Sequence, residues 1–223
     1  MKPEGKAALI SIRPNWCKFI WAGMKTVEVR KTRPTLETPF KAYIYCTGHD
    51  GWVIKSPKAG VQKMDSRVIG EFTCKKIDRL THVGAMGRNE PAKLYIETPG
   101  LEYEYADELL RAACLTEAEA EKYLKGRDGY GWHISDLKIY DKPLPLSNFI
   151  PNCRHLEVEA GCRAYREHGW SCPDQRYDLN PDGSINMAIC QRSVKRPPQS
   201  WCYVEEKDIV DLLLYSNELK KQR

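Results

Sequence analysis

The stretch Ser11–Arg30, SIRPNWCKFIWAGMKTVEVR, changes from helical to strand periodicity part-way along, and this change limits the fold more than any other feature. Pro14 suits the first helical position, where its missing N–H has no helical partner to lose. Trp16 stands three residues before Phe19 and four before Ile20, so the three share one helix face. Gly23 supplies the left-handed residue that commonly ends a helix. Beyond it Thr26-Val27-Glu28-Val29-Arg30 alternates with period two, sending Val27 and Val29 to one face and Thr26, Glu28 and Arg30 to the other. The segment predicts the end of a strand, a two-turn helix and a second strand, with Lys25 at the corner.

Lys25, Glu28 and Arg30 gathered on so short a segment have two readings. One is the charged outer face of a half-buried strand, the usual place for alternating charges. The other is a polar site at the mouth of a small sheet or barrel, which the tight turn and flanking tryptophans favour. Gly23-Met24-Lys25-Thr26-Val27-Glu28-Val29-Arg30 fits the pattern G-x-K-x-x-E-x-R, and the context SIRP…W…I..G.KTVEVR resembles the ASCH domain family. PFKAYIYC, RVIGEFTC, GYGWHISDLKIY and RPPQSWCYVEE extend the resemblance over most of residues 8–145 and about 195–206. Within that family the chain resembles the phage- and bacterium-associated branch. The resemblance implies an α+β chain: a small, mainly antiparallel PUA-like β-barrel with short flanking helices. Its boundaries are expected at 5–145, completed by 196–206, with a cysteine-containing insert at 146–195 and a C-terminal helix at 207–223. Fold alone does not fix activity.

A chain of 223 residues suits one domain with an insertion, or two small ones, and can bury a core without disulfides. Its 42% hydrophobic and 29% charged residues are ordinary for a soluble globular protein. No apolar run reaches the roughly 18 residues of a membrane span, and MKPEGKAAL lacks the apolar core of a signal peptide, so a cytoplasmic location is expected. The net charge of +5 permits a polyanionic partner. Arg13, Lys25, Arg30, Lys31 and Arg33 form one basic cluster, and Arg192, Lys195 and Arg196 a second, both interleaved with aromatics as in nucleic-acid grooves. Oligomeric state is left open.

Further along, strands are expected at Ala7–Ile12, Lys41–Thr47, Arg67–Ile77, Gly131–Tyr140 and Trp201–Val204, the last completing the barrel. Gly70 marks a bulge or close approach, and Glu71 beside it is placed facing the same interior as Glu28. Gly48–Ser66 reads as a long loop or loose hairpin, and Asp78–Gly100 as irregular. Tyr105–Ala113 is helical, and Thr116 with Glu119 forms a capping box for a helix running to about Leu124. Trp132 is either core or a stacking platform. His133 is either a hydrogen-bonded structural residue or a functional one.

Nine cysteines in such a chain argue for thiols or metal ligands rather than disulfides. Cys17, Cys46, Cys74, Cys114 and Cys202 lie in apolar periodic segments and read as core. Cys153, Cys162, Cys172 and Cys190 lie in a polar insert that cannot bury much core, where a structural zinc site would supply order. No pair has the short zinc-ribbon spacing, His155 and His168 are alternative ligands, and free thiols are the competing reading.

No phosphate-binding loop, dinucleotide fingerprint, nucleophile elbow or H-E-x-x-H motif is present. The charged set Lys25, Glu28, Arg30 and Glu71 is the best candidate that remains, and the expected binding set adds Arg13, Trp132 and His133 to it. As a binding module it would take RNA or a modified nucleotide, with Lys25 and Arg30 on phosphate oxygens or a base edge and Glu28 accepting from an exocyclic amine. As an enzyme, Lys25 and Glu28 would be the catalytic pair. Some small ASCH-like proteins hydrolyse N4-acetylcytidine with a lysine, a threonine and a glutamate; Lys25 matches that lysine, Glu28 stands at the threonine position, and the glutamate has no placed counterpart. A neighbouring carboxylate favours the charged lysine and works against this mechanism. Ribonuclease activity is a further alternative that the resemblance implies.

Overall fold

The computed structural model describes residues 5–48, 50–83, 93–97, 103–149, 194 and 196–206. The chain opens with β1 (Lys6–Ile12), α1 (Pro14–Trp21), β2 (Val27–Arg30) and β3 (Phe40–Cys46). Pro14 starts α1, and Gly23, at φ 72°, turns the chain out of it. Cys17 and Ile20 are buried, and Trp16 meets Phe19 with ring centres 5.9 Å apart.

Gly48–Ser66 contains a hairpin, β4 (Val53–Ser56) and β5 (Gly60–Lys63). Then come β6 (Arg67–Cys74), β7 (Ile77–Val83), β8 (Lys93–Glu97) and β9 (Glu104–Tyr105), followed by α2 (Asp107–Ala112) and α3 (Glu117–Leu124). The capping box is formed: Glu119 N–H donates to Thr116 Oγ1 at 3.2 Å, and Thr116 N–H donates to Glu119 Oε2 at 2.9 Å. The remaining strands are β10 (Gly129–His133), β11 (Ser135–Leu144) and β12 (Trp201–Glu205).

Two five-stranded sheets result, ordered β11-β6-β3-β1-β12 and β2-β10-β7-β8-β9. The β1–β3 pair is parallel, with α1 and β2 in the crossover, and the other ladders are antiparallel. β12, where the last strand is expected at Trp201–Val204, lies against β1 with Leu9 opposite Cys202.

The strands expected to form one barrel lie in two sheets, and among the described residues no ladder joins them into a ring. They share the core between them, where Ile10, Ile44, Ile69 and Phe72 of the first sheet pack with Trp132 of the second. The chain crosses from one sheet to the other twice. Arg67–Ile77, expected as one strand, divides at Lys75-Lys76 into β6 and β7; Gly131–Tyr140 divides at Ile134 into β10 and β11. His133 N–H donates to Lys76 O at 3.0 Å, and Ile134 N–H to Thr26 O at 2.8 Å, tying the crossings together. Asp136, at φ 49°, takes the left-handed turn that follows.

Asp78–Gly100, expected to be irregular, contributes most of β7 and all of β8. Leu80, Leu94 and Ile96 point back to a second core with α2 and α3, while Arg79, Tyr95 and Glu97 point forward. A third cluster, with Tyr43, Tyr140 and Phe149, covers the outer face of the first sheet. Gly70 is a close approach: a Cβ there would lie 2.3 Å from Lys138 O, so only glycine fits. Among the described residues no helix is long and apolar enough to cross a membrane.

Candidate functional site: a buried ion triad and the groove beside it

Lys25, Glu28 and Arg30 come together as the pattern predicts, but inside the protein. They are 3%, 6% and 8% exposed, which removes the reading as an outer charged face. Val27 and Val29 turn into the helical core, so Glu28 and Arg30 turn between the sheets. Glu28 Oε2 lies 3.3 Å from Lys25 Nζ, and Glu28 Oε1 lies 3.1 Å from Arg30 Nη2. Lys25 Nζ also donates to Ala113 O at 2.6 Å, beneath Trp16, whose ring centre is 5.1 Å away. Arg30 Nη2 donates to Ser11 O at 2.5 Å.

Satisfaction is incomplete. Arg30 Nε, Ser11 Oγ and Trp132 Nε1 are buried and have no hydrogen-bond partner. Buried polar atoms are usually paired, so orphans gathered around one ion cluster call for an explanation. Cys17 lies close by: burial, then contact with Cys46, then the Glu28 charge all raise its pKa well above the ordinary thiol value. It is a neutral thiol, unsuited to nucleophilic work.

The triad leads outward. Arg30 stands opposite Tyr130, Tyr130 opposite Arg79, and Arg79 opposite Glu97, so one row crosses the second sheet from core to surface. At the Arg30 end the side chain is 9% exposed, and at the Arg79 end 48%. The outer part opens into a depression of about 410 Å³ lined by Arg33, Lys76, Ile77, Asp78, Arg79, Glu97 and Tyr130. Arg79 is fixed there by Asp128 at 2.6 Å and Glu97 at 2.8 Å. Asp78 receives Lys76 at 2.9 Å and His133 Nε2 at 2.6 Å. Burial works to raise the Asp78 pKa, and the hydrogen bonds from His133 and Lys76 outweigh it, holding the carboxyl below its ordinary range.

The other expected site residues divide. His133 joins the groove through Asp78. Trp132, opposite Glu28, is fully buried and packs edge-on against Phe40 at 5.6 Å, so it is core and not an exposed stacking platform. Glu71 does not share the interior of Glu28. Alternation with Phe72 sends it to the opposite face of the first sheet, where Tyr140 Oη donates to it at 2.8 Å and Lys138 lies at 3.3 Å. Burial, then the Glu71 charge, pushes the Tyr140 hydroxyl far above the ordinary phenol range. Arg13 is exposed at the N-cap of α1, outside the triad. Cys153, Cys162, Cys172 and Cys190, with His155, His168, Arg192 and Lys195, lie outside the described residues. Among the described residues no His, Cys, Asp or Glu group is arranged to hold a metal.

Asp78, Arg79 and Tyr130 were not among the expected site residues. Tyr130 alternates with Trp132 in the sequence, which signals a shared face; Asp78 and Arg79 lay in a segment whose glycines and prolines hid its period-two pattern.

The fold and site together define an α+β protein of two packed sheets with an ion triad between them. No family model and no curated protein matches the chain. Among solved structures the chain is similar to ASCH from Zymomonas mobilis, at 20% identity and a TM-score of 0.39, covering 63% of this chain and 73% of that one. It is similar to a tyrosine-to-phenylalanine mutant of that protein at 20% identity and a TM-score of 0.39, over 63% of this chain and 76% of that one. It is similar to a serine-to-alanine mutant of the same protein at 18% identity and a TM-score of 0.43, over 90% of this chain and 89% of that one. Those structures carry the name of the family that the sequence resembles. These overlaps are too loose to transfer single residues, and the site stands on its own geometry.

Proposed function

We propose that the protein binds single-stranded RNA or a modified nucleotide in the groove lined by Arg33, Lys76, Arg79 and Tyr130, with the Lys25–Glu28–Arg30 triad at the inner end of the row that leads into it. On this reading the two sheets are the halves of a PUA-like barrel, residues 5–145 and 196–206 form the binding domain, and 146–195 is an insert. The observation that carries it is the set of orphaned buried atoms around the triad: Arg30 Nε and Trp132 Nε1 as donors, and Ser11 Oγ as donor or acceptor. A base edge offers complementary acceptors and donors at fixed spacing, and a carboxylate such as Glu28 can only accept, which selects among exocyclic groups. Burial of the triad makes it a base reader rather than a phosphate clamp. Phosphates fall to the exposed cations of the groove, Arg33 and Lys76, and the Tyr130 ring offers a face for a base.

The test is equilibrium binding of a single-stranded RNA pool and of free nucleosides, with mass spectrometry for turnover. Arg33→Ala is expected to weaken RNA binding and flatten its salt dependence, because one phosphate contact is lost. Lys25→Met, verified as folded, is expected to weaken binding of mononucleotides and oligomers alike. A wild-type protein that binds neither at low salt overturns the proposal. Acetate released from N4-acetylcytidine and abolished by Lys25→Met would replace it with the hydrolase reading, and cleavage of the RNA pool would replace it with the ribonuclease reading.

A further inference from the structure

The second sheet has a back face covered by α2 and α3, and on its front face Trp132, Tyr130 and Ile77 pack against the first sheet. Ladder register fixes what the front carries. Arg79 and Thr81 of β7 face Glu97 and Tyr95 of β8, and Tyr95 faces Tyr105 of β9. Their sequence neighbours Leu80, Leu94, Ile96 and Ala106 all turn to the back. The front therefore presents a tyrosine group. Tyr95 and Tyr105 stack with centres 5.0 Å apart and planes at 30°, and Tyr103 meets Tyr95 edge-on at 6.3 Å. Tyr103, just before β9, is 56% exposed and Tyr105 58%. Lys93 Nζ stands 5.1 Å over the Tyr105 ring, and no carboxylate pairs with it among the described residues.

We infer that this tyrosine face is a second nucleic-acid subsite, continuing the groove and stacking the bases of single-stranded RNA beyond the nucleotide read at the triad. The inference rests on the binding function proposed above. Three features select this occupant. The face is continuous with the groove, because Arg79 and Glu97 belong to both. From Tyr130 on β10 to Tyr105 on β9 is three strand spacings, about 14 Å, and a sheet face of this kind stacks about two or three bases. Cations stand at both ends: Arg33 lines the groove, and Lys93 stands over the outermost ring, where the ammonium is placed for a phosphate between stacked bases. Aromatic stacking tolerates any base, so this subsite adds affinity and length dependence while the triad supplies selectivity.

The experiment compares a mononucleotide with a single-stranded RNA of about eight nucleotides, a length within the site size of small β-domains. Wild type, Tyr103→Ala/Tyr105→Ala and Tyr103→Phe/Tyr105→Phe are measured against both. Both rings are exposed, so the fold is expected to stand, which circular dichroism checks. The alanine pair is expected to lose at least tenfold in oligomer affinity with mononucleotide affinity unchanged, and the phenylalanine pair to keep wild-type values, since the ring stays. Oligomer affinity unchanged in the alanine pair overturns the inference while leaving the groove reading intact. Equal losses on mononucleotide and oligomer also overturn it, because the tyrosines would then act through the groove. A wild-type protein that binds neither probe overturns both.

Discussion

Glu28→Gln is the sharpest probe of the buried triad. The substitution keeps the shape and removes the one negative charge that faces Lys25 at 3.3 Å and Arg30 at 3.1 Å. At an effective dielectric of 20, each contact is worth roughly 5 kcal/mol of Coulomb energy, much of it offset by the cost of desolvating three charges. The loss on removing one partner is larger than the net worth of the group, because the others stay buried and uncompensated: about 3–5 kcal/mol. Lys25 keeps Ala113 O and Arg30 keeps Ser11 O, so the lower figure applies. A loss of about 3 kcal/mol is a large part of the 5–15 kcal/mol that holds a typical domain. In urea, with a slope of roughly 2–3 kcal/mol/M, the midpoint should fall by about 1–1.5 M with the slope unchanged. Lys25→Met keeps the Glu28–Arg30 contact and should cost about 2 kcal/mol, near the value of a hydrogen bond to a charged group. The double variant removes one of the stranded cations, so it should be more stable than the two single losses predict, by about 0.5–3 kcal/mol. A Glu28→Gln midpoint within error of wild type, or strict additivity in the double variant, would show that the triad is not a desolvated network.

Three further outcomes follow from particular contacts. Gly70→Ala places a methyl against Lys138 O on a backbone that has no side chain to yield, and should cost about 1–3 kcal/mol in urea unfolding. Asp78 has a folded-state pKa below its ordinary value, so its contribution is present above the unfolded pKa and is lost as pH falls through the folded one. Unfolding midpoints measured between about pH 5 and 3 should therefore drop less steeply in Asp78→Asn than in wild type. Burial pushes the Cys74 thiol up to about 11, so alkylation of Cys74 at pH 8, followed by peptide mass spectrometry, should proceed only with unfolding.

The sequence held the local geometry of the site and hid its surroundings, and the difference has a physical cause. Pro14, Gly23 and the alternation from Thr26 to Arg30 act over a few residues, so the helix, the turn and the side taken by Glu28 and Arg30 were legible. Whether that side meets water or core depends on the first sheet arriving opposite it, which no local spacing records. The same limit misplaced Glu71. Alternation tells that Glu71 and Phe72 oppose one another, but only the third cluster, built by Tyr43, Tyr140 and Phe149 from three distant segments, tells which side is which. The strand splits at Lys75-Lys76 and Ile134 were hidden for another reason. Each crossing is closed by backbone groups, His133 N–H to Lys76 O and Ile134 N–H to Thr26 O, and any residue type supplies those. The crossings lead the chain from β6 into β7 and from β10 into β11, and the row that starts at a buried Arg30 ends at a half-exposed Arg79. Under the proposed binding function the triad is the inner end of the site and the Tyr95–Tyr105 stack its outer end, so a strand lying across the second sheet would meet selectivity at one end and length dependence at the other.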